Sequence, residues 1–484
     1  MTETKRPATT GGTGLRAGAL GVPGIVVLSV VLMGPAISLF FNTPVMASTA
    51  GAAVPLAFVL SMIGILFTAW TVAQYGRKIA TAGSFYGFVV RSGGKSVGFL
   101  TGWCTFGAYL GASIGGVAIT GAFISSIIQA HFAVNIPWFW AALATLVAVV
   151  AISYFGIRLS ERFSLVMLSI EVVSILIVLI AIFAKGGAHG YSAKPFLLSG
   201  SPDGFNGIRL AMVFGILSFV GFEISATLSE ETRNPMRSIP VAVLGCTFVV
   251  GLLYIVGSYG VVLGYGVAHT DKLATDASAF DTLARLYVSW LRPIVDLLLI
   301  NALLGATLAI TNSFARVAYA LGRDGVIPKW LGSTHPRFRT PYAALGAFAV
   351  VTLIALIPMA SAGVPGLTAY AYISTPASLL LIVVFIGANL LLWRLYRKDY
   401  TAEFSWWKHL AFPILGSAVL LLPLIAQFYP APPHPLNLLP IFAGAWILIG
   451  VVILVTGGQR VQAASGAFLD SQSASALIAP EDRQ

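Results

Sequence analysis

Two short runs in this chain place groups that could do chemistry where apolar residues are expected. In Ser218-Phe219-Val220-Gly221-Phe222-Glu223, a glycine and a carboxylate interrupt an apolar stretch covering about residues 208–228. A glycine weakens a helix interior by about 1 kcal/mol. A charge near a bilayer centre costs at least about 2.5 kcal/mol on the insertion scale. A carboxylate so placed can hold an amine, take up and release a proton, or bind a cation. The second run, Met33-Gly34-Pro35-Ala36-Ile37-Ser38, breaks another apolar stretch with glycine and proline. Proline removes an amide donor and clashes with the preceding turn, so the helix opens there. Freed amides can bind a carboxylate and freed carbonyls can accept from an ammonium. Together the two breaks suit a zwitterionic amino acid. The plainer alternative is a pair of kinked membrane helices without a ligand, because Gly and Pro are common in such helices.

The elements that must position these runs follow from composition. Of 484 residues, 57% are hydrophobic and 9% charged, against about 25% charged in soluble domains. A large soluble core is excluded, and the chain reads as an all-α integral membrane protein. Apolar windows mark twelve spans, at about 21–45, 51–75, 97–128, 137–156, 162–184, 208–228, 239–265, 290–321, 341–360, 367–393, 409–428 and 437–456. Alternating the loops between two sides divides the 28 basic residues 22 to 6, the minority being Lys185, Lys194, Arg209, Lys272, Arg285 and Arg292. Positive charge stays cytoplasmic. Both termini are therefore expected inside a multi-pass protein of the cell membrane. The net charge of +11 is then topology, and gives no reason to invoke nucleic acid. The first 20 residues lack the apolar core of a signal peptide. They and the Ala/Ser-rich stretch from about residue 458 are expected to be without regular structure.

The two broken spans are the first and the sixth, five apart. Broken spans at corresponding positions of two five-span halves point to a site near the membrane midplane of secondary transporters, because unwound backbone is tolerated at that depth only where it faces protein or water. Other chemistries find no support. The six histidines fall in loops or at span ends, no His/Cys/Asp cluster has ligand spacing, and no phosphate-binding glycine loop follows a strand. No catalytic residue, metal, nucleotide or other cofactor is expected. Cys104 and Cys246 read as packing residues. Asp296, near the start of the eighth span, is an intramembrane acid and a candidate for coupling. Thr307 and Thr311 could offer oxygens to a sodium ion, although threonine in membrane helices more often bonds its own backbone.

Four motifs carry a family resemblance. They are Glu230-Glu231-Thr232-Arg233-Asn234-Pro235-Met236-Arg237-Ser238-Ile239-Pro240; the preceding Phe219-Val220-Gly221-Phe222-Glu223; Ala82-Gly83-Ser84-Phe85-Tyr86 followed by Gly98-Phe99-Leu100-Thr101-Gly102-Trp103; and Asn312, Arg316 and Tyr319 with Gly322-Arg323-Asp324-Gly325-Val326-Ile327-Pro328. With these in family order along the chain, over about residues 20–395, the chain resembles the amino acid–polyamine–organocation transporters. The resemblance implies twelve transmembrane helices with a five-plus-five inverted-repeat core, discontinuous helices 1 and 6, and two C-terminal helices. The domains implied are a tail at 1–20, repeat one at 21–185, an extracellular loop at 186–207, repeat two at 208–395, helices 11 and 12 at 409–456, and a tail at 457–484. It implies a substrate site between spans one, three, six, eight and ten. Carried over by position, the carboxylate contacts are amides near Gly34, Ala36, Ile37 and Ser38. The amine contacts are carbonyls near Phe219, Val220 and Phe222 about Gly221, with Tyr109 and Ile310 lining the pocket. For Tyr109, plain packing is an equal alternative.

Two departures stand out. Where some relatives have a lysine in span five, this chain has Glu171, which could titrate, bind a cation or contact an amine. Its alternative is a neutral, hydrogen-bonded acid used in packing. Where some relatives place an aromatic lid, it has Leu217. With Glu223, Glu171 and Asp296 as coupling residues, the expected function is a secondary permease. It would import an amino acid by alternating access, driven by protons ahead of sodium, without an obligatory protein partner. The alternatives are a polyamine or other amine carrier or exchanger, and an amino-acid sensor that binds without transport.

Overall fold

The computed structural model describes residues 22–79, 85–155, 161–223, 234–276, 278–323, 325, 327–338 and 340–477, and within them the chain is helical with no strand. Among the described residues, nine helical segments are long and apolar enough to cross a membrane: Gly24–Gly76, Lys95–Phe132, Trp138–Phe155, Met236–Tyr265, Ile294–Arg323, Tyr342–Ser361, Gly366–Asp399, Trp407–Ala426 and Leu436–Gly458. Two shorter apolar helices, Leu168–Ala184 and Gly204–Leu217, accompany them. The first of the nine, at 53 residues, covers the first two apolar windows and is not one uninterrupted helix. It is broken at Gly34, and a turn at Gly51–Ala53 separates its halves.

The 38-residue helix Lys95–Phe132 is about 57 Å long at 1.5 Å per residue and forms the central post. Against it lie Gly366–Asp399, Arg292–Arg323, Trp138–Phe155, Phe85–Gly93 and Leu439–Leu477. Helix Pro235–Tyr265 lies on Val54–Gly76, and Gly204–Leu217 rests on both Thr43–Ala50 and Val54–Gly76. Small residues let backbones approach closely in apolar surroundings. A Cβ on Gly121 would lie 2.5 Å from the backbone of Ala142. The rims of the bundle are apolar instead of charged, with Trp140, Val147, Phe442 and Val455 exposed.

One expectation changes. The stretch after residue 457 continues as helix to Leu477 past a kink at Gly458, where no regular structure was expected; its alanines are strong helix formers. Between the windows 239–265 and 290–321 lie the short helices Thr270–Thr275 and Ala279–Tyr287. The break 185–207 holds two single turns, Lys194–Phe196 and Leu198–Gly200. Of the four motifs, Ala82–Ser84, Glu230–Arg233, Asp324 and Val326 lie outside the described residues. Asn234 opens the helix Pro235–Tyr265, so the Asn-Pro pair works as a helix start, with proline at a position that needs no donor.

Candidate functional site

The first break is real and tightly built. The helix Val22–Met33 stops, Gly34 takes a left-handed conformation (φ 54°, ψ 72°), and the chain restarts at Pro35. Glycine occupies that region without the Cβ clash other residues suffer. A π-helical turn, Ser38–Asn42, follows before regular helix resumes at Thr43. Such i→i+5 turns are rare and occur often at functional sites. Gly34, Ala36 and Ser38 are buried, and Ile37 is half-buried. The Ser38 amide donates to the Gly34 carbonyl at 3.0 Å, and its hydroxyl to the Met33 carbonyl at 3.2 Å. The Ala36 amide has a different partner. It donates to Oε1 of Glu171 at 2.8 Å, across 135 residues of sequence.

The second break is a run of turns. Helix Gly204–Leu217 ends, and residues 218–223 continue without helix. The Phe219, Val220 and Phe222 amides donate to carbonyls three residues back. Gly221 has φ 119°, a conformation that L side chains rarely adopt. Its amide donates to Oε2 of Glu223 at 2.9 Å, and the Tyr109 hydroxyl donates to Oε1 at 2.9 Å. Tyr109 thus brings the post helix to the sixth-span break, with more than a packing contact. Glu223 is fully buried, and each of its oxygens has a donor.

A residue that sequence reasoning missed ties the breaks together. The Tyr254 hydroxyl lies 2.7 Å from the Met33 carbonyl and 2.9 Å from the Ser218 carbonyl, one from each break, and its single proton can serve either. A second bridge runs from the Tyr370 hydroxyl to Oδ1 of Asn42 (2.5 Å), and from Nδ2 of Asn42 to the Ser218 hydroxyl (2.8 Å). Tyrosine in an apolar run carries no signal that separates clamp from filler. Asn42 did carry one, as a lone amide in a membrane-length run. Tyr254→Phe removes the one proton that the two buried carbonyls share, at about 1–3 kcal/mol. The variant is expected to unfold at a lower temperature in detergent and to bind substrate up to about tenfold more weakly. Unchanged melting and affinity would show that the clamp is idle.

The remaining candidates fall into place around this centre or away from it. Phe219 and Phe222 are fully buried, with Phe219 edge-on to Tyr254 (5.3 Å) and Phe222 against Phe385 (5.6 Å). Val220 is buried and Leu217 partly so. Ile310 joins the apolar core of helix Arg292–Arg323. Thr307 meets Thr120 at 3.4 Å, and the buried Thr311 hydroxyl has no hydrogen-bond partner among the described residues. Asp296 is not brought to the two breaks. Its Oδ2 lies 2.6 Å from Nε2 of His131, which sits 22 residues, or about 33 Å of helix, beyond Tyr109 on the same post.

The site therefore holds one interior carboxylate at each helix break, Glu171 at the first and Glu223 at the second, and one tyrosine hydroxyl in reach of both breaks. The family model for amino acid permeases matches residues 24–473. The chain belongs to the amino acid permease family. Among similar proteins, this permease is 27% identical over 353 residues to the branched-chain amino acid permease BcaP of Bacillus subtilis, covering 66% of this chain and 71% of that one. It is 28% identical over 344 residues to the low-affinity putrescine importer PlaP of Escherichia coli, covering 69% and 74%. It is 28% identical over 352 residues to the mouse cationic amino acid transporter 4, covering 67% of this chain and about half, 54%, of that longer one. In fold, the permease is similar to the manganese transporter of Eremococcus coleocola, with a TM-score of 0.58 at 14% identity over 92% of this chain and 95% of that one. It is a membrane transporter by family, not an enzyme.

Proposed function

We propose that the permease is a secondary transporter that imports an amino acid by alternating access, coupled to protons. The observation that carries this reading is the convergence of the breaks. Tyr254 bonds both, Tyr109 and Gly221 hold Glu223 at one, and Glu171 meets the other. The substrate's carboxylate is read by the amide side of the first break, near Ala36, and its ammonium by the carbonyls of 219–222 beside Glu223. Such a site recognises the amino-acid group mostly with backbone. In a twelve-span, five-plus-five arrangement the first break falls in one half and the second in the other. The charge asymmetry supports cytoplasmic termini in the cell membrane.

A second reading, import of a putrescine-like amine, is favoured by two buried acids near the breaks and by the resemblance to a putrescine importer. The expected outcome of competing labelled uptake into proteoliposomes with a panel of amino acids and polyamines is saturable displacement by one group of amino acids. Displacement by diamines alone would move the assignment to the amine.

A further inference from the structure

The Ala36 amide is the donor that the first break would offer to a substrate carboxylate, and it already holds a carboxylate belonging to the protein. Glu171 reaches it from helix Glu161–Ala184 at 2.8 Å, and is itself 8% exposed. Of the donors beside it, Pro35 has no amide, and the amides of Gly34 and Ser38 bond to Val30, Val31 and Gly34 carbonyls. The chain restarting at Pro35 runs on helically to Ala50, so its dipole favours an anion at this point. Two anions cannot share one buried donor without strong mutual repulsion. A zwitterion whose carboxylate takes the Ala36 amide must therefore displace Glu171 or find it neutral.

We propose that Glu171 occupies the seat of the substrate's carboxylate, and that taking up one proton is what makes it yield. This rests on the reading of the site as an amino-acid carrier. On protonation Glu171 binds one hydrogen ion from the aqueous side from which substrate arrives, and becomes a neutral acid. Its hold on the Ala36 amide weakens, because bonds to an ionised acceptor are roughly twice as strong as neutral ones. The incoming carboxylate takes the amide, and substrate and proton are bound together. When substrate leaves, the proton dissociates and the ionised Glu171 returns to Ala36, closing the empty site. An acid can thus couple transport where some relatives of this chain have a lysine, with the protein's own side chain imitating its ligand.

The elements around Glu171 leave it free to play this part. The segments Val22–Met33 and Pro35–Ile37 carry no titratable side chain. Helix Pro235–Tyr265 brings Tyr254, whose phenol interacts electrostatically with Glu171, and Cys246. Helix Arg292–Arg323 brings Asp296, paired with His131, and Arg316, whereas Ala279–Tyr287 brings Asp281 and Arg285. Glu171 forms no ion pair among the described residues.

The test is amino-acid affinity against pH in the purified, full-length protein, using whichever amino acid saturates uptake. In the wild type, affinity is expected to weaken about tenfold per pH unit above the Glu171 titration, the slope of one linked proton. In Glu171→Gln, whose carbonyl still accepts from Ala36 but cannot titrate, the profile is expected to be flat within about twofold. A diamine without a carboxylate is expected to show no weakening with rising pH. Because a variant can misfold, proton uptake is also read in the wild type with an indicator dye in weak buffer, and about one proton per bound amino acid is expected. A flat wild-type profile, an equally steep Glu171→Gln profile, or no proton uptake overturns the proposal and leaves the amino-acid carrier standing. Binding of amines with no amino acid bound at any pH overturns both.

Discussion

Glu223→Gln is expected to lower substrate uptake by roughly 10- to 100-fold, with the pH profile shifted. The reason is its charge. Both oxygens of Glu223 accept, from the Tyr109 hydroxyl and the Gly221 amide. A glutamine can keep both contacts, its oxygen accepting from Gly221 and its NH2 group donating to the Tyr109 oxygen, so the variant removes the acid's charge and its capacity to titrate. Bonds to a charged group are worth about 1.5–3 kcal/mol, which is the source of the estimate. Tyr109→Phe separates geometry from charge, since it removes one bond and keeps the carboxylate. It is expected to lose affinity while retaining the wild-type pH profile. Wild-type uptake together with a wild-type profile in Glu223→Gln would take this acid out of the mechanism.

Gly221→Ala is expected to be as damaging, for a backbone reason. At φ 119° a Cβ-bearing residue is strained by about 1–3 kcal/mol. Relieving the strain turns the Gly221 amide off Glu223 and moves the 219–222 carbonyls. Uptake is expected to fall about tenfold or more, and the unfolding temperature in detergent to drop. Gly245→Ala is the control. That glycine lies inside helix Pro235–Tyr265, and a Cβ there meets nothing within 4 Å. It is expected to be neutral or mildly stabilising, as alanine is the better helix former. Equal behaviour of the two variants would mean that the second break is dispensable.

These two residues also show what can be read from sequence. Gly34-Pro35 and Gly221 announced themselves because only special backbone chemistry makes sense of them in apolar runs, and Glu223 because a buried charge is costly. Local features of this kind survive translation into a chain pattern. Contacts between distant segments do not. Glu171 on Ala36 spans 135 residues, and Asp296 beside His131 spans 165. Apolar periodicity says nothing of which helix faces lie together. The resemblance pointed to position 171, and the structure added what its carboxylate touches. Tyr254 was illegible for the opposite reason. Its type is common in membrane helices, and only the position of two broken helices turns its hydroxyl into a clamp. The helical tail after Gly458 was misread because polar, small residues suggest disorder while their alanines favour helix.

The central claim is that the two breaks form one carrier site worked by protons. Its most direct test is uptake of a labelled amino acid into proteoliposomes holding the purified protein, with a pH gradient imposed. The expected result is saturable accumulation above the external concentration when the outside is more acidic, collapsing on addition of a protonophore. Saturable binding with no flux under proton, sodium or exchange gradients would contradict the account, and would leave a membrane protein that senses an amino acid without carrying it.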